Sequence, residues 1–370
     1  MSEDRSDEGA RPGPIGSQRA DRSDEGARPG PIGSQRADRS DEGADGNQRP
    51  GAIGSQRADR SDEGADGNQR PGAISSQGED RSDLPAQVVG VLGLGPVDPE
   101  LPVLHSDDLG LTRGDGCFEA TRLVTDADGR HRIDHLSQHF DRFDHSCAGL
   151  DLPPIDRTGW QQLIEQLLAG WQRPGEATLK LMLSRGRESR PAGPVTGIAS
   201  LTAVSPEVLR QRREGISVIT LSRGFASDAF ENARWLLGGV KTLSYAVNVA
   251  GYREATRRGA DDVIFTSSEP YLLEGPTSSL VWLSGNRLIT TPLSGTGVLA
   301  SITQRQLFAA AEQAGFQTDY QLGTAQDLHT ASGAWLVSSV RGVARIRSLD
   351  GVDLDCRPEL SQQLSELAGF

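Results

Sequence analysis

Lysine is scarce in this chain: Lys180 and Lys241 are its two lysines, and arginine supplies every other strongly basic side chain. Arginine keeps its proton in proteins and cannot act as an amine nucleophile. Where the chain needs positive charge alone, arginine suffices, so a retained lysine indicates amine chemistry. Any reaction that requires a neutral side-chain amine must therefore use Lys180 or Lys241.

Cysteine and long apolar runs are also scarce. Cys117, Cys147 and Cys356 form no Cys-x-x-Cys pair, which argues against a zinc ribbon and a disulfide framework and favours a reducing, cytoplasmic setting. No apolar run approaches the roughly 18 residues of a membrane helix, and the acidic N-terminus lacks the apolar region of a secretory signal. The net charge of −13 argues against a nucleic-acid partner. We therefore expect neither a membrane nor a nucleic-acid partner.

Large apolar residues are rare in the first 86 residues, which form a repeat tract. The tripeptide Arg-Ser-Asp recurs at spacings of 17, 17, 21 and 21 residues, starting at Arg5, Arg22, Arg39, Arg60 and Arg81. Each unit contains one isoleucine, which is too little apolar surface for stacked repeats. We expect residues 1–86 to be disordered. A tether, a partner-binding arm, expanded repeat DNA or a start codon placed too far upstream would each explain the tract.

Apolar periodicity begins after residue 86 and indicates an α+β fold in two domains. The first, residues 87–204, is predicted to contain strands, a hairpin and two helices, over 88–93, 118–134, 136–150, 158–171, 178–186 and 200–205. The second, a larger α/β domain at 205–370, begins with a connection at 205–213. Its predicted strands, hairpins and helices lie over 217–222, 243–259, 262–267, 271–275, 279–292, 303–315 and 334–346. A cleft between two domains is the usual place for a ligand.

Lys241 lies in the segment GGVKTLSYAVN, where two glycines precede the lysine and a helix is predicted to begin near Leu243. Such a lysine can be an ordinary solvated charge, but the scarcity of lysine favours amine chemistry. Lys180 occupies an alternating position in the strand predicted at 178–186. We interpret Lys180 as structural or as adjacent to a substrate.

Two further segments suit a cofactor that has an acidic partner and a phosphate. Glu274 follows an apolar run, and it is either an ordinary strand-end glutamate or the partner of a protonated pyridine nitrogen. Downstream, a Gly-rich loop leads into a helix whose start contains Ser301, Ile302 and Thr303. Backbone N–H groups and hydroxyls at a helix N-terminus bind phosphate, although the same residues also make an ordinary N-cap.

Two other motifs carry weaker hypotheses. Residues 88–96 resemble a dinucleotide-binding loop, but Pro96 and Pro99 stand where its helix should begin. His135 and His139 are four residues apart on one predicted helix, yet they lack the HExxH pattern and a third zinc ligand. We therefore predict neither a dinucleotide site nor a metal site.

Seven motifs occur in the order found in class IV pyridoxal-phosphate enzymes, which include branched-chain aminotransferases, D-amino-acid aminotransferases and 4-amino-4-deoxychorismate lyases. The motifs are GDGCFEATR, HFDRF, LSRG, VKTLSY, LEGPTSS, LASITQ and WLVSSVRGV. The chain from about 87 to 370 resembles this family, most closely its actinobacterial aminodeoxychorismate lyases. The resemblance implies the two-domain class IV fold, a pyridoxal 5'-phosphate cofactor, a small-molecule substrate and a homodimer.

The resemblance also implies a role for each matching residue. Lys241 would bind the cofactor covalently and carry the proton, and Glu274 would pair with the pyridine nitrogen. Tyr245 would lie near the ring hydroxyl of the cofactor, and Arg185 and Phe118 would lie beside the substrate. The residues implied for the cofactor phosphate are Arg142, Ile302, Thr303 and Ser339.

Departures from the family pattern bear on the activity. Members usually carry arginine at Gln304 and asparagine at Ser244 and Ser279, but these departures remove no main cofactor contact. D-Amino-acid aminotransferases carry tyrosine at Phe118 and histidine at Arg187, and both groups help to hold the substrate carboxylate. Together with the lyase-like GDGCF motif, this favours β-elimination of pyruvate from aminodeoxychorismate, which gives 4-aminobenzoate for folate synthesis. The alternatives are an aminotransferase for D- or branched-chain amino acids and a scaffold that contains an inactive enzyme domain.

Overall fold

The computed structural model describes residues 86–370, so the disorder predicted for residues 1–86 concerns residues that, apart from Ala86, lie outside the described part. The α-helices of this part are α1 (Leu109–Arg113), α2 (Leu136–Gly149), α3 (Arg157–Gly170), α4 (Pro206–Glu214), α5 (Ala246–Arg257), α6 (Ile302–Gln313), α7 (Ala325–Thr330) and α8 (Pro358–Leu367). A 3-10 turn lies at Arg234–Leu236. The strands are β1 (Gln87–Val91), β2 (Gly95–Val97), β3 (Gly116–Thr125), β4 (His131–Ile133), β5 (Gly175–Ser184), β6 (Thr196–Ala203), β7 (Ile216–Ser222), β8 (Asp262–Thr266), β9 (Ser279–Ser284), β10 (Arg287–Thr290), β11 (Gln317–Tyr320), β12 (Ala334–Ser338), β13 (Gly342–Leu349) and β14 (Val352–Asp353).

The first sheet is antiparallel, with the strand order β2-β1-β6-β5-β3-β4. Apolar residues alternate along its strands because successive side chains point to opposite faces. In β5 the buried face carries Leu179, Leu181 and Leu183, and helices α2 and α3 cover it with Phe143 and Trp160. This packing forms the core of the first part of the chain.

The other face of the first sheet carries a different set of side chains. In the pairing of β3 with β5, Phe118 lies opposite Met182, and Ala120 lies opposite Lys180. Residues paired across two strands share a face. Since Lys180 is exposed while its strand neighbours Leu179 and Leu181 are buried, this face is open to solvent at that point.

The second sheet is mixed, with the order β11-β10-β9-β12-β13-β7-β8 and with β14 beside β13. Strands β7 and β8 run parallel to each other and to β13, while β9, β10 and β12 pair antiparallel. Strand β8 is buried along its whole length, as its run of apolar residues predicts. Helices α6 and α8 pack on one face with Trp335 and Phe308, and α5 packs on β8 through Ala255.

The structure confirms most of the elements predicted from periodicity and corrects several. Hairpins form at β3–β4 and β9–β10 as expected. The connection predicted at 205–213 contains helix α4, which the Ser205 hydroxyl caps by accepting the Val208 N–H. Helix α5 begins at Ala246 rather than near Leu243, because the Leu243 N–H donates to the Gly116 carbonyl of β3 instead. Residues 271–275 form isolated bridges rather than a strand.

The glycine-rich segment near the start is a hairpin turn. Gly93 and Gly95 have φ angles of 83° and 86°, which favour glycine, and they connect β1 to β2. The turn accounts for the weak resemblance to a dinucleotide loop. No helix within residues 86–370 is long and apolar enough to cross a membrane.

Candidate active site

Lys241 lies in the loop before α5, and elements of the first sheet hold its backbone. Its N–H donates to the Ser146 hydroxyl on α2 at 3.2 Å, and its carbonyl accepts the Phe118 N–H of β3 at 3.0 Å. Beside these bonds, Cys117 and Thr242 form an isolated β-bridge. The lysine is thus fixed at the junction between the two sheets.

The Lys241 amine lies beside two aromatic rings. Its Nζ is 4.4 Å from the centroid of the Phe118 ring and 5.7 Å from that of Tyr245, and the two rings meet edge to face at 5.2 Å. Burial, assisted by the positive charge of Arg142, lowers the pKa of Lys241 to about 8, although nearby carboxylates oppose the shift. About a tenth of this amine is therefore neutral at pH 7 and can act as a base or a nucleophile.

Glu274 lies in the loop between β8 and β9, and it is half-buried. Its Oε2 accepts the Leu299 N–H at 3.1 Å. Burial raises the pKa of Glu274, although the Leu299 N–H and the positive charges of Arg223 and Lys241 act in the opposite direction. A carboxyl in this setting is stabilised as a carboxylate by a partner that carries positive charge, such as a protonated ring nitrogen.

Arg142, on α2, pairs with a carboxylate of β3. Its Nε and Nη2 each donate to one oxygen of Glu119 at 2.7 Å, and its Nη1 donates to the Ala300 carbonyl at 2.9 Å. Three of the five N–H donors are used in this way, which leaves two for an anion. Burial by itself would raise the pKa of Glu119, but hydrogen bonds from Arg142 and His139 hold it at about 2, so the pair is ionic.

A line of side chains continues from Glu119 to helix α6. His139 Nδ1 is 2.7 Å from Glu119 Oε2, and His139 Nε2 is 3.4 Å from Ser339 Oγ. Ser339 Oγ is in turn 3.1 Å from the hydroxyl oxygen of Thr303. Three of the residues predicted to bind a phosphate, including Arg142, are therefore linked through two residues that the sequence analysis did not assign.

The start of α6 supplies backbone donors to the same group. Ser301 is the N-cap, and its hydroxyl accepts the Gln304 N–H at 3.2 Å. The N–H groups of Ile302 and Thr303, in the first turn, have no partner within the helix. The ordinary N-cap and the anion-binding interpretation are thus compatible, because they use different N–H groups.

Tyr245 closes the other end of the site. Its hydroxyl donates to the Pro276 carbonyl at 2.8 Å, and the Asn248 amide donates to the same carbonyl at 2.5 Å. Burial, with the charge of Glu274, raises the pKa of Tyr245, so the phenol stays protonated. Arg223 donates to the Asn248 side chain at 3.2 Å, and among the described residues its buried Nε has no hydrogen-bond partner.

Arg185, which the sequence places beside the substrate, is already engaged. Its Nε and Nη2 donate to the Asp115 carboxylate at 2.7 and 3.2 Å, and Nη2 also donates to the Leu150 carbonyl at 2.5 Å. Its Nη1 donates to the Asp151 carbonyl at 3.4 Å. These bonds hold the guanidinium near the C-terminal end of α2, and none of its described hydrogen bonds involves Phe118.

Lys180 lies on the same sheet face as Phe118. It is exposed, it pairs with Ala120, and it is a diagonal neighbour of Phe118 across β3 and β5. Its charge contributes to lowering the pKa of Lys241. Within residues 86–370 it forms no ion pair. Both lysines of the chain therefore serve one region.

Glu119 and His139 are the functional candidates that sequence reasoning missed. Glu119 lies on the buried face of β3, between Cys117 and Thr121, where a charged residue requires a partner. That position was a usable signal. His139 was considered only with His135 for a metal, but its partner is the carboxylate of Glu119.

Known proteins resemble this chain over most of the described region. The class IV aminotransferase family matches residues 116–349. The chain is 39% identical over 279 residues to the bifunctional aminodeoxychorismate lyase / D-amino acid transaminase of Mycobacterium tuberculosis, which covers 73% of this chain and 94% of that protein.

Two solved structures have the same fold. A hypothetical aminotransferase from Mycobacterium tuberculosis in its pyridoxal-phosphate-bound form is 38% identical, with a TM-score of 0.71, over 76% of this chain and 97% of that one. A fold IV transaminase from Curtobacterium pusillum is 36% identical, with a TM-score of 0.71, over 77% of this chain and 99% of that one. The predicted α+β class IV fold is confirmed, and the chain belongs to the pyridoxal-phosphate-dependent class IV aminotransferase family.

Proposed function

We propose that the residues around Lys241 hold pyridoxal 5'-phosphate as the family resemblance implies. Lys241 would bind the aldehyde carbon, Glu274 would pair with the ring nitrogen, and Tyr245 would lie near the ring hydroxyl. The residues proposed for the phosphate are Arg142, Ile302, Thr303 and Ser339. The donor set supports this fit, because anion donors gather around α6 while a low-pKa amine and a desolvated carboxyl lie apart from them.

The chain itself would contribute position and proton transfer. When bound, pyridoxal 5'-phosphate supplies an electron sink for a carbanion at the substrate α-carbon. The Lys241 amine would take the substrate α-proton, and a pKa of about 8 suits a base near neutral pH. Phe118 and Tyr245 flank this amine and limit the access of water to it.

We propose that the reaction is the elimination of pyruvate from 4-amino-4-deoxychorismate. After Lys241 takes the α-proton, the C–O bond at the β-carbon breaks, and the oxygen leaves with the electron pair as enolpyruvate. Protonation of enolpyruvate gives pyruvate, and the ring becomes aromatic 4-aminobenzoate. The observation that carries this proposal is the 39% identity to a relative named as an aminodeoxychorismate lyase.

The proposed substrate carries carboxylates, which need a cation beside Phe118. Arg185 and Lys180 differ in how many of their N–H donors are already bonded to the protein. Four N–H donors of Arg185 are engaged by protein acceptors, whereas Lys180 is exposed and forms no ion pair within residues 86–370. We therefore propose Lys180 as the main carboxylate-binding cation. Arg185 would retain a secondary part on this side of the site.

Transamination of D-amino acids is the second candidate function. The Mycobacterium tuberculosis relative carries both activities in its name, which supports an enzyme with two outcomes here as well. Both reactions begin with removal of the α-proton by lysine, so the same Lys241 would serve either. Phe118, which has no hydroxyl, and Arg187, which pairs with Asp107, favour the lyase.

The test is to incubate purified protein with 4-amino-4-deoxychorismate and to follow 4-aminobenzoate and pyruvate. We expect both products in equal amounts and no product from Lys241→Ala. Lys180→Ala is the matched control, because it removes the other lysine and should slow product formation without abolishing it. A panel of D- and branched-chain amino acids with 2-oxo acids runs alongside, and turnover there without 4-aminobenzoate would contradict the lyase proposal.

Three further expectations accompany this function. We propose a folate-pathway role and a homodimeric assembly from the family resemblance, and a cytoplasmic location from the scarcity of cysteine. We also propose that residues 87–204 and 205–370 act as separate domains, since each range contains one of the two sheets.

A further inference from the structure

The side chains behind the phosphate-binding residues form a closed hydrogen-bonded line. Glu119 and His139 are each 1% exposed, and neither would touch a substrate. Glu119 is contacted by Arg142 from one side and by His139 from the other, and all three of these bonds measure 2.7 Å. Short charge-assisted bonds of this kind fix the orientation of the groups that they join.

The Glu119 carboxylate determines which nitrogen of His139 carries the proton. The Glu119 carboxylate can only accept, so His139 Nδ1 must carry the proton. Burial lowers the pKa of His139, which keeps the ring neutral and makes Nε2 an acceptor. The Ser339 hydroxyl therefore donates to His139 Nε2. The Thr303 hydroxyl lies 3.1 Å from Ser339 Oγ, and its hydrogen is available to Ser339 or to a bound phosphate.

We propose that Glu119 and His139 are positioning residues that set the affinity of the site for the cofactor phosphate. Glu119 would hold the Arg142 guanidinium so that its two remaining N–H groups face the phosphate. His139 would hold the Ser339 hydroxyl, and through it Thr303, at the start of α6. The proposal rests on the assignment of Arg142, Thr303 and Ser339 to the phosphate made above.

The test compares two ligands that differ only in the phosphate. The dissociation constants of pyridoxal 5'-phosphate and of pyridoxal are measured on the full chain after removal of the cofactor. The ratio of the pyridoxal constant to the pyridoxal 5'-phosphate constant isolates the contribution of the phosphate. Glu119→Gln is expected to reduce this ratio about 10- to 100-fold, as loss of a supporting partner does at other bound groups. His139→Gln, which alters the bonds to Glu119 and Ser339 but leaves the Glu119–Arg142 pair in place, is expected to reduce it roughly 3- to 10-fold.

A matched control is available in the same sheet. Asp134 accepts the Arg122 Nε at 2.7 Å, and both side chains are at most 10% exposed. Asp134→Asn breaks a comparable buried pair that contains no residue of the proposed cofactor site, so the ratio should stay within about twofold of the wild type. Glu119→Asp keeps the charge on a shorter side chain and should give an intermediate ratio. Circular dichroism confirms that each variant is folded.

The outcomes separate this proposal from the proposed reaction. If Glu119→Gln and His139→Gln leave the ratio unchanged, for example by weakening the binding of both ligands equally, the two residues support only the fold and the proposal is wrong. If the ratio falls as expected in an enzyme that forms no 4-aminobenzoate, the positioning role holds and the lyase proposal fails.

Discussion

The two sides of the proposed site differ in how strongly the surrounding protein constrains their side chains. The proposed cofactor side comprises Arg142, Glu119, His139, Ser339, Thr303 and Glu274, each of which makes at least one hydrogen bond within the protein. The proposed substrate side comprises Phe118, Ala120, Lys180 and Met182, which share a sheet face that is open to solvent at Lys180. A buried network tolerates little change because an unpaired member costs its full desolvation. The open face can change residue types without that penalty, which suits the part of a family that selects substrates.

The largest loss of activity is expected from a substitution on the proposed cofactor side. Glu274→Gln removes the charge that would hold a proton on the ring nitrogen, and we expect turnover to fall roughly 100- to 1000-fold, the range found for preorganised electrostatic groups. Steady-state 4-aminobenzoate formation measures this loss. Gln at this position keeps the shape, so cofactor content, read from absorbance, should change little. A fall of less than tenfold would place Glu274 outside the essential machinery.

The pH dependence of cofactor binding should differ between Lys241 and a lysine in solution. Because the pKa of Lys241 is lowered to about 8, its neutral fraction rises about tenfold per pH unit below 8 and then levels off. The rate of pyridoxal-phosphate incorporation into the cofactor-free chain should follow that curve. A blocked lysine in solution, with an ordinary pKa near 10.4, is the control and should continue to rise beyond pH 9. A protein profile identical to the control would contradict the effect of burial.

Two glycines at helix ends provide a matched pair at the junction of the two sides. A Cβ at Gly149, the last residue of α2, would meet Val240 Cγ2 at 2.6 Å, next to Lys241, whereas one at Gly170, the last residue of α3, would meet nothing within 4 Å. Gly149→Ala should destabilise the fold by about 1–3 kcal/mol through overpacking and lower activity by displacing Lys241. Gly170→Ala should be neutral or stabilising by up to about 1 kcal/mol. Chemical unfolding distinguishes them, and equal effects would contradict the steric argument.

The smallest effect is expected on the substrate side. Lys180→Met keeps an unbranched side chain that is one atom shorter but removes its charge, so KM for 4-amino-4-deoxychorismate should rise roughly 3- to 10-fold, the value of one exposed charge contact. The turnover number should change little, because Lys180 does not take the proton. Lys180→Arg, which keeps the charge, serves as the control. A change in turnover number alone would contradict a role in binding.

Periodicity predicted much of the fold because local patterns determine single elements. The hairpins at β3–β4 and β9–β10 and helices α2, α3 and α6 followed from spacing and turn residues. Spacing could not reveal that Leu243 bonds to β3, since a pairing between distant segments overrides the helical preference of residues 243–245.

The site was predictable to the extent that single residue types limit chemistry. The scarcity of lysine selected Lys241, and the motif order supplied the residues whose roles stay proposals. Glu119 was not predicted, because its importance depends on Arg142 and His139 approaching it from α2. The engagement of Arg185 by Asp115 and Leu150 also depends on tertiary contacts that the LSRG motif does not encode.

The attachment of Lys241 to Ser146 and Phe118 imposes an order on maturation. In an unfolded or half-folded chain this lysine is solvated and has an ordinary pKa near 10.4, so its reactive neutral fraction at neutral pH is small. That fraction increases once α2, β3 and the loop before α5 have come together, because burial lowers the pKa of Lys241 to about 8. Under the role proposed for Lys241, cofactor loading would therefore follow the folding of these elements.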